Sequence, residues 1–468
     1  MIEFRKFSFT YSACDRPVLS DISFAIKSGE CVLLHGPSGC GKSTLCMTLN
    51  GIVPNLLRGE IQGEILIDGT PVTGQETRTL ATRVGMVFQN PDNQLFAITV
   101  EEDVAFGPEN LGLPQDEMRL RVNEALEATG LADIRTRQVH RLSGGQKQRT
   151  AIAGLSAMRP DILVFDEPTA DLDPEGTREI IGLIHRLHKE EKKTIIIVEH
   201  KIREIFPVID RIITLKEGKI AGDFQKDASD PRLLAPPYPR HTPTRNDTAD
   251  ILLDIRHLHF SYPDGTKALE DVSLAIRRSE CIAFIGRNGS GKTTLTKCIK
   301  GLLSPDRGTV NLYNTENGCI VPDGSKRIGY LFQNPDHQIV TDQVDREISI
   351  GLVNLPAAEA EKRTQQALEQ VNLGQYATRD PCTLSRGERQ RLAVASILAM
   401  DPEVIIFDEP TTGQDYENLT SIMQCMEQLK AAGNTILMVT HDHELANAYA
   451  DRIIVMENGK IVAQEIPS

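Results

Sequence analysis

The stretch Gly36-Pro37-Ser38-Gly39-Cys40-Gly41-Lys42-Ser43-Thr44 follows the apolar run Cys31-Val-Leu-Leu-His35 and opens the helix-compatible segment Thr44–Leu49. That order predicts a strand, a glycine-rich turn and a helix. Gly36 and Gly41 let the backbone turn tightly and aim its N–H groups at phosphate oxygens, and the helix N-terminus that follows adds positive potential. Lys42 supplies a point charge for the outer phosphates, and Ser43 a hydroxyl ligand for Mg2+. A G-x-x-x-x-G-K-[ST] pattern arises by accident in about one or two of every hundred chains of this length. Accident is removed by its return as Gly286-Arg287-Asn288-Gly289-Ser290-Gly291-Lys292-Thr293-Thr294, directly after a second apolar run, Cys281-Ile-Ala-Phe-Ile285.

The return belongs to a long internal repeat. Gln89, Ser143, Asp166 and His200 recur in the same order as Gln333, Ser385, Asp408 and His441. A unit this long is a duplicated domain, not a solenoid repeat. Between the copies, residues 222–250 hold Pro231, Pro236, Pro237, Pro239 and Pro243 and read as a linker. The predicted organisation is a domain over 1–221, the linker, and a domain over 251–468. Extended at about 3.1 Å per residue, such a linker reaches ~90 Å, enough to travel round the outside of a domain.

Each copy starts β-rich, at Phe7–Tyr11 and Val18–Ile26 in the first and His257–Tyr262 and Ala268–Ile276 in the second. In the middle, Gln115–Gly130 and Ala357–Leu373 space their apolar residues at helical intervals. Each copy closes with two apolar runs, Ile162–Phe165 and Ile195–Val198, matched by Val404–Phe407 and Ile436–Val439. β-branched runs separated by helix-compatible sequence predict parallel strands in an α/β core.

At 468 residues and 40% hydrophobic content the chain has room for two or three domains with ordinary cores. Its 51 basic and 65 acidic residues leave a net charge of −14, which disfavours a sequence-independent grip on nucleic-acid backbone. No apolar run approaches the ~20 residues that span a bilayer, and Met1–Lys6 lacks a signal peptide's apolar centre. A membrane role is therefore expected to go through a partner. The 9 cysteines form no C-x-x-C pair and read as reduced, cytosolic thiols.

Asp166-Glu167-Pro168-Thr169 and Asp408-Glu409-Pro410-Thr411 each end an apolar run. An aspartate there can hold a magnesium shell while the adjacent glutamate polarises an attacking water, although an isolated D-E-P-T is also an ordinary acidic turn. Leu142-Ser143-Gly144-Gly145-Gln146 and Leu384-Ser385-Arg386-Gly387-Glu388 each precede a helix-compatible segment. Serine and glycine at a helix entrance can donate to an anion, and equally make a plain helix cap.

These motifs, in this order and twice over, resemble the ATP-binding cassette family across nearly everything but the linker. The resemblance implies an α/β fold of two tandem P-loop NTPase domains, each with an α/β core, an antiparallel β subdomain and a helical subdomain. It implies ATP and Mg2+ as cofactors and an intramolecular pseudo-dimer, with Lys42 sharing a site with Ser385 and Gly387, and Lys292 with Ser143 and Gly145. Tyr11 and Tyr262 would stack on adenine, a place that core packing explains as well. Ser43, Thr293, Asp166, Asp408, Gln89 and Gln333 would serve the metal. Glu167 and Glu409 would act on the attacking water with His200 and His441 at the γ-phosphate, and Asp173 and Asp415 would connect the two sites.

Phe88-Gln-Asn-Pro-Asp-Asn-Gln94, Phe332-Gln-Asn-Pro-Asp-His-Gln338 and Thr99–Gly107 resemble the ATPase subunits of energy-coupling-factor importers. That likeness implies a chain peripheral to the cytoplasmic face of the cell membrane. Its partners would be a transmembrane coupling protein and a small substrate-binding membrane protein for a vitamin or metal ion, and no nucleic acid. Asp92, Glu101, Glu102, Asp103, Asp336, Asp342 and Asp345 are expected to face basic helices of the partner, or else to form a solvated acidic face. The second copy departs at Leu-Ser-Arg-Gly-Glu388 and at Thr412–Asp415, yet keeps lysine, glutamine, aspartate, glutamate and histidine, so two competent sites are expected. A tandem ATPase of a sugar or nucleoside importer and a soluble ribosome-associated cassette protein share the duplicated plan. The F-Q-N-P-D segments argue against the first, and the short proline-rich linker against the second.

Overall fold

The computed structural model describes residues 1–12, 14–170, 172–200, 202–227, 250–314, 319–321, 324–411 and 416–467. The chain divides into two compact units, Met1–Ala235 and Pro236–Ser468.

In the first unit the apolar runs become a six-stranded sheet in the order Lys219–Gln225, Arg211–Lys216, Cys31–His35, Thr194–Val198, Ile162–Asp166, Val84–Val87. All neighbours but the first pair are parallel. Every residue of Ile162–Asp166 and Thr194–Val198 is buried, as strands covered on both faces require. The edge strand runs through Gln225, so the sheet extends four residues into the stretch read as linker. Most of that proline-rich stretch, residues 228–249, lies outside the described residues.

A second, antiparallel sheet pairs Ile2–Tyr11 with Leu19–Ile26 and Gly59–Ile67. Its inward Phe4, Phe7, Phe9 and Ile22 share one core with Val32, Leu34 and Leu45, and so press the sheet onto the phosphate-loop side. The helical portion packs Val100–Asn110, Gln115–Ala128 and Gly144–Met158 around Val104, Leu126, Leu142 and Ala153. The helix Val100–Asn110 has no clear apolar period; a Thr99–Glu102 capping box starts it.

The second unit repeats the plan. Its sheet runs Ile328–Leu331, Val404–Asp408, Thr435–Val439, Cys281–Ile285, Arg452–Glu457, Lys460–Glu465, with the last strand antiparallel. Ile251–Ser261 pairs antiparallel with Lys267–Arg277 and Arg307–Leu312. Among the described residues, no helix of either unit is long and apolar enough to cross a membrane.

Candidate functional site

Each phosphate loop joins a central strand to a helix, Cys31–His35 to Lys42–Leu49 and Cys281–Ile285 to Lys292–Lys300. Gly36 and Gly286 stand at φ 151° and 148°, and a Cβ there would come 2.1 Å from Leu215 O or 2.2 Å from Met456 O. No other residue fits that approach. Lys42 Nζ donates to Gly36 O and Pro37 O at 2.8 Å each. Lys292 Nζ likewise donates to Gly286 O at 2.7 Å and Arg287 O at 2.9 Å. Both ammonium groups are thereby held inside the loop that their own chain wraps. Tyr11 and Tyr262 hydroxyls lie 3.0 Å from Thr44 and Thr294 Oγ1, tying each ring to the start of the loop helix.

Asp166 and Asp408 end the strands beside the loops, and the next residue breaks the strand's alternation. Glu167 and Glu409 adopt φ 47° and 50°, a left-handed conformation costing about 1–3 kcal/mol outside glycine. Side chains that would otherwise point to opposite faces are thus turned toward one site. Glu167 Oε2 accepts from Gln89 Nε2 at 2.6 Å, and its Oε1 lies 3.2 Å from His200 Nε2. In the second unit Glu409 Oε2 lies 2.9 Å from His441 Nδ1. Thr293 Oγ1 donates to Asp408 Oδ1 at 3.0 Å.

The environments are electrostatically tense. Burial pushes the Asp166 carboxyl up to about 6, against the Ser43 hydroxyl and Lys42, while Glu167 adds repulsion. Burial also raises Asp408, with the Tyr330 and Thr293 hydroxyls opposing it. Asp166 Oδ1 and Ser290 Oγ are buried without a hydrogen-bond partner. In the first unit a buried carboxylate oxygen lacking a partner, and in the second a buried loop hydroxyl lacking one, each beside a lysine folded onto its glycine loop, fit a magnesium polyphosphate.

Ser143 and Ser385 are both helix N-caps closed by capping boxes, with Gln146 in one and Glu388 in the other. The Gln-to-Glu departure is thus absorbed by the same cap geometry. Gly145 and Gly387 fall in the first turns of those helices. Asp173 caps the helix Pro174–Lys189 by accepting from Gly176 N at 2.8 Å; its counterpart Asp415, with the rest of Thr412–Asp415, lies outside the described residues.

His35 and Tyr330 carry no sequence motif, and Glu199 stands in the sequence only as a difference from Thr440 with no role attached. Glu199, buried before His200, accepts from Thr169 Oγ1 at 2.6 Å and His200 N at 2.8 Å. His35, at the end of the loop strand, is pushed down to about 4 by burial and by His200. Tyr330 donates to Asp408 Oδ2 at 2.7 Å. Each stands where the other copy carries Thr440, Ile285 or Met86, so a column-by-column comparison of the repeats marks all three.

Of the acidic residues expected to face a partner or solvent, Asp103 does neither. Asp103 is buried and accepts from Phe96 N and Ala97 N at 2.7 and 2.9 Å. Glu102 closes a capping box, and Glu101 grips Arg135 at 2.9 and 2.5 Å. Asp92 pairs with Lys147, Asp336 with Arg389 and Asp342 with Arg346, at 2.5, 2.6 and 3.1 Å. Asp345 Oδ1 accepts from Arg346 N at 2.7 Å. Each of these carboxylates thus has a local partner. What stands exposed beside them is apolar: Phe96, Ile98 and Phe106 in the first unit and Val340, Ile350 and Val353 in the second.

Doubled phosphate loops, each with an Asp-Glu strand end and a histidine, define a tandem P-loop ATPase. The ABC transporter family profile matches residues 19–170 and again 269–412. A "Putative ABC transporter ATP-binding protein" of Methanosarcina acetivorans is 40% identical over 98% of this chain and 85% of its own length. The "Putative HMP/thiamine import ATP-binding protein YkoD" of Bacillus subtilis is 36% identical over 98% of this chain and 90% of its own. A cbiO1 structure from Clostridium perfringens, described as part of the ABC transporter complex cbiONQ, is 32% identical over 47% of this chain and 89% of that one, with a TM-score of 0.42. The chain belongs to the ABC transporter family. It is a tandem ABC ATPase of a transporter, binding and hydrolysing ATP.

Proposed function

We propose that this chain is the fused ATPase pair of an energy-coupling-factor importer, docked on the cytoplasmic face of the membrane, with two composite ATP sites. In each, Lys42 or Lys292 binds the outer phosphates, and the Ser385 or Ser143 segment of the other unit closes over them. Ser43, Asp166 and Gln89, and their counterparts Thr293, Asp408 and Gln333, would hold Mg2+, which would supply charge neutralisation to the phosphates. Glu167 and Glu409 orient the attacking water and accept its proton. His200 and His441 hold the γ-phosphate and the glutamate in one arrangement. Tyr11 and Tyr262 form the adenine platforms. Asp173 and Asp415 link the sites.

The observation that carries the reading is the histidine beside the glutamate in both units: His441 Nδ1 hydrogen-bonded to Glu409 at 2.9 Å, and His200 Nε2, without a hydrogen-bond partner, 3.2 Å from Glu167. A protein that binds nucleotide without hydrolysing it has no need of a glutamate–histidine pair in each unit. The tether between the units makes closure an intramolecular event, with effective concentrations around the millimolar range. The exposed Phe96, Ile98 and Phe106, and in the second unit Val340, Ile350 and Val353, form apolar faces for the partner's cytoplasmic helices. The whole-chain likeness to a relative named for HMP/thiamine import favours a thiamine-precursor cargo.

The test is purification of the tagged chain from detergent-solubilised membranes, with uptake of labelled thiamine precursor measured in the same cells. A multi-spanning partner, a small precursor-binding membrane protein and chain-dependent uptake are expected. Recovery with ribosomes or a sugar permease overturns the importer type. Phe96→Asp with Val340→Asp is expected to abolish uptake while the purified chain hydrolyses ATP at its normal basal rate.

A further inference from the structure

Asp166 and Asp408 end equivalent strands, but the walls behind them differ. In the second unit Tyr330 donates to Asp408 Oδ2 at 2.7 Å while Thr293 donates to Oδ1 at 3.0 Å. Tyr330 is itself fixed. Thr296 Oγ1 lies 3.2 Å from its hydroxyl, and its ring is tilted against Phe332 with centroids 4.8 Å apart. Tyr330 and Thr296 are both buried, on the strand Ile328–Leu331 and the helix Lys292–Lys300. Both oxygens of Asp408 are therefore gripped by hydroxyls from two separate elements.

In the first unit the repeat sets Met86 at the place of Tyr330 and Cys46 at the place of Thr296. Both are buried, and neither offers an O–H donor. Met86 Sδ instead takes Asn50 Nδ2 at 3.5 Å, and Asp166 Oδ1 has no hydrogen-bond partner. Two sulfur side chains fill the volume that a hydroxyl relay occupies in the other copy.

A carboxylate held at both oxygens has lost its rotational freedom before any ligand arrives; one held on a single side gives it up on binding. We propose that Tyr330, backed by Thr296, is a positioning residue that presets Asp408 for the metal–nucleotide complex, so that the second site takes up divalent metal with its nucleotide more tightly than the first. The proposal rests on the reading of Asp166 and Asp408 as metal-serving residues. The same contrast assigns the Cys46–Met86 wall to the weaker site.

Mn2+ titration of the full-length chain with saturating ADP, with free Mn2+ followed by electron paramagnetic resonance, tests this. Two classes of bound metal are expected. Tyr330→Phe is expected to weaken the tighter class about two- to tenfold, leaving the weaker class and the ADP affinity in EDTA unchanged. The pair Cys46→Thr with Met86→Tyr should tighten the weaker class, a readout that does not depend on how well Tyr330→Phe folds. Unchanged metal constants in both variants overturn the proposal. So does a loss of ADP affinity in Tyr330→Phe that is equal with and without metal, since that marks a packing role. If Asp408→Asn leaves both classes intact, the metal role of Asp408 fails and takes the proposal with it. If Asp408→Asn removes one class and Tyr330→Phe shifts neither, only the role of Tyr330 fails.

Discussion

Around the first phosphate loop the buried wall is rich in titratable groups: His35 ends the loop strand, and Glu199 clasps Thr169 to the backbone of His200. Around the second, Ile285 and Thr440 take those places, and Thr440 Oγ1 accepts from Asp442 N at 3.0 Å. Behind the aspartate the balance reverses, with sulfur in the first unit and hydroxyls in the second. The two copies keep the lysine, glutamine, aspartate, glutamate and histidine assigned to nucleotide and differ in what holds those groups. A group that touches phosphate or water is constrained by chemistry, whereas a backing side chain has only to fill volume and satisfy its neighbours' hydrogen bonds.

The comparison breaks most sharply at the glutamates. Glu167→Gln with Glu409→Gln is expected to bind ATP and lower turnover by about 10²- to 10⁴-fold. Single variants, measured by steady-state ATP hydrolysis, show whether the sites contribute equally. Near-normal turnover in the double variant removes the proposed action on water.

Next in size is the pH dependence of the first unit without nucleotide. Asp166 is raised to about 6 in the fold, so its ionised form costs stability above that pH, and the cost lifts as pH falls toward the unfolded value near 4. His35 is lowered to about 4, so it costs nothing above its unfolded value near 6.5 and increasingly destabilises as pH falls below it. Each effect is on the order of 3 kcal/mol at its full extent, and the two oppose each other between about pH 4 and 6.5. Thermal melts in EDTA should show Asp166→Asn raising stability at pH 7 by several degrees. His35→Ile, the residue of the other copy, should remove the acid-side loss. A flat difference between wild type and either variant across this range contradicts the assigned burial.

Removing Glu199 should follow, because Glu199→Ala leaves the Thr169 hydroxyl and the His200 N–H without their acceptor. About 1–3 kcal/mol per orphaned group is expected. With His200 loosened, kcat should fall about tenfold while ATP affinity holds; Glu199→Gln, which retains one carbonyl acceptor, should lose less. Thr440→Ala in the second unit gives the matching measurement. Smallest are the exposed pairs Asp92–Lys147 and Asp336–Arg389, where Lys147→Met or Arg389→Met should change stability by less than ~1 kcal/mol in urea melts.

The glycine-rich loops, the parallel strands and the order of chemical groups were legible in the chain because each is a local pattern whose spacing carries its own physical reason. The lysine, serine or threonine, aspartate and glutamate of each loop and strand end were legible for the same cause. The helix Val100–Asn110 lacks a clear apolar period, and the Thr99-x-x-Glu102 capping pattern is its local mark. Asp103 misled because a carboxylate's partner is set by what folds beside it: it looks like surface charge in a line of letters and is a buried clamp on Phe96 N and Ala97 N in space.

What the amino-acid order determined by itself was two copies of a nucleotide-binding unit and the identity of nearly every group proposed to touch the nucleotide, because backbone turns and coordinating atoms demand particular residues at particular spacings. Tertiary structure alone decided how those groups are backed. Met86 and Tyr330 are unremarkable members of apolar strands until the sheet sets each strand beside the one that ends in an aspartate. There a hydroxyl either meets a carboxylate oxygen or is missing, and hydrogen bonding depends on ångström-scale proximity that a pattern of residues does not contain.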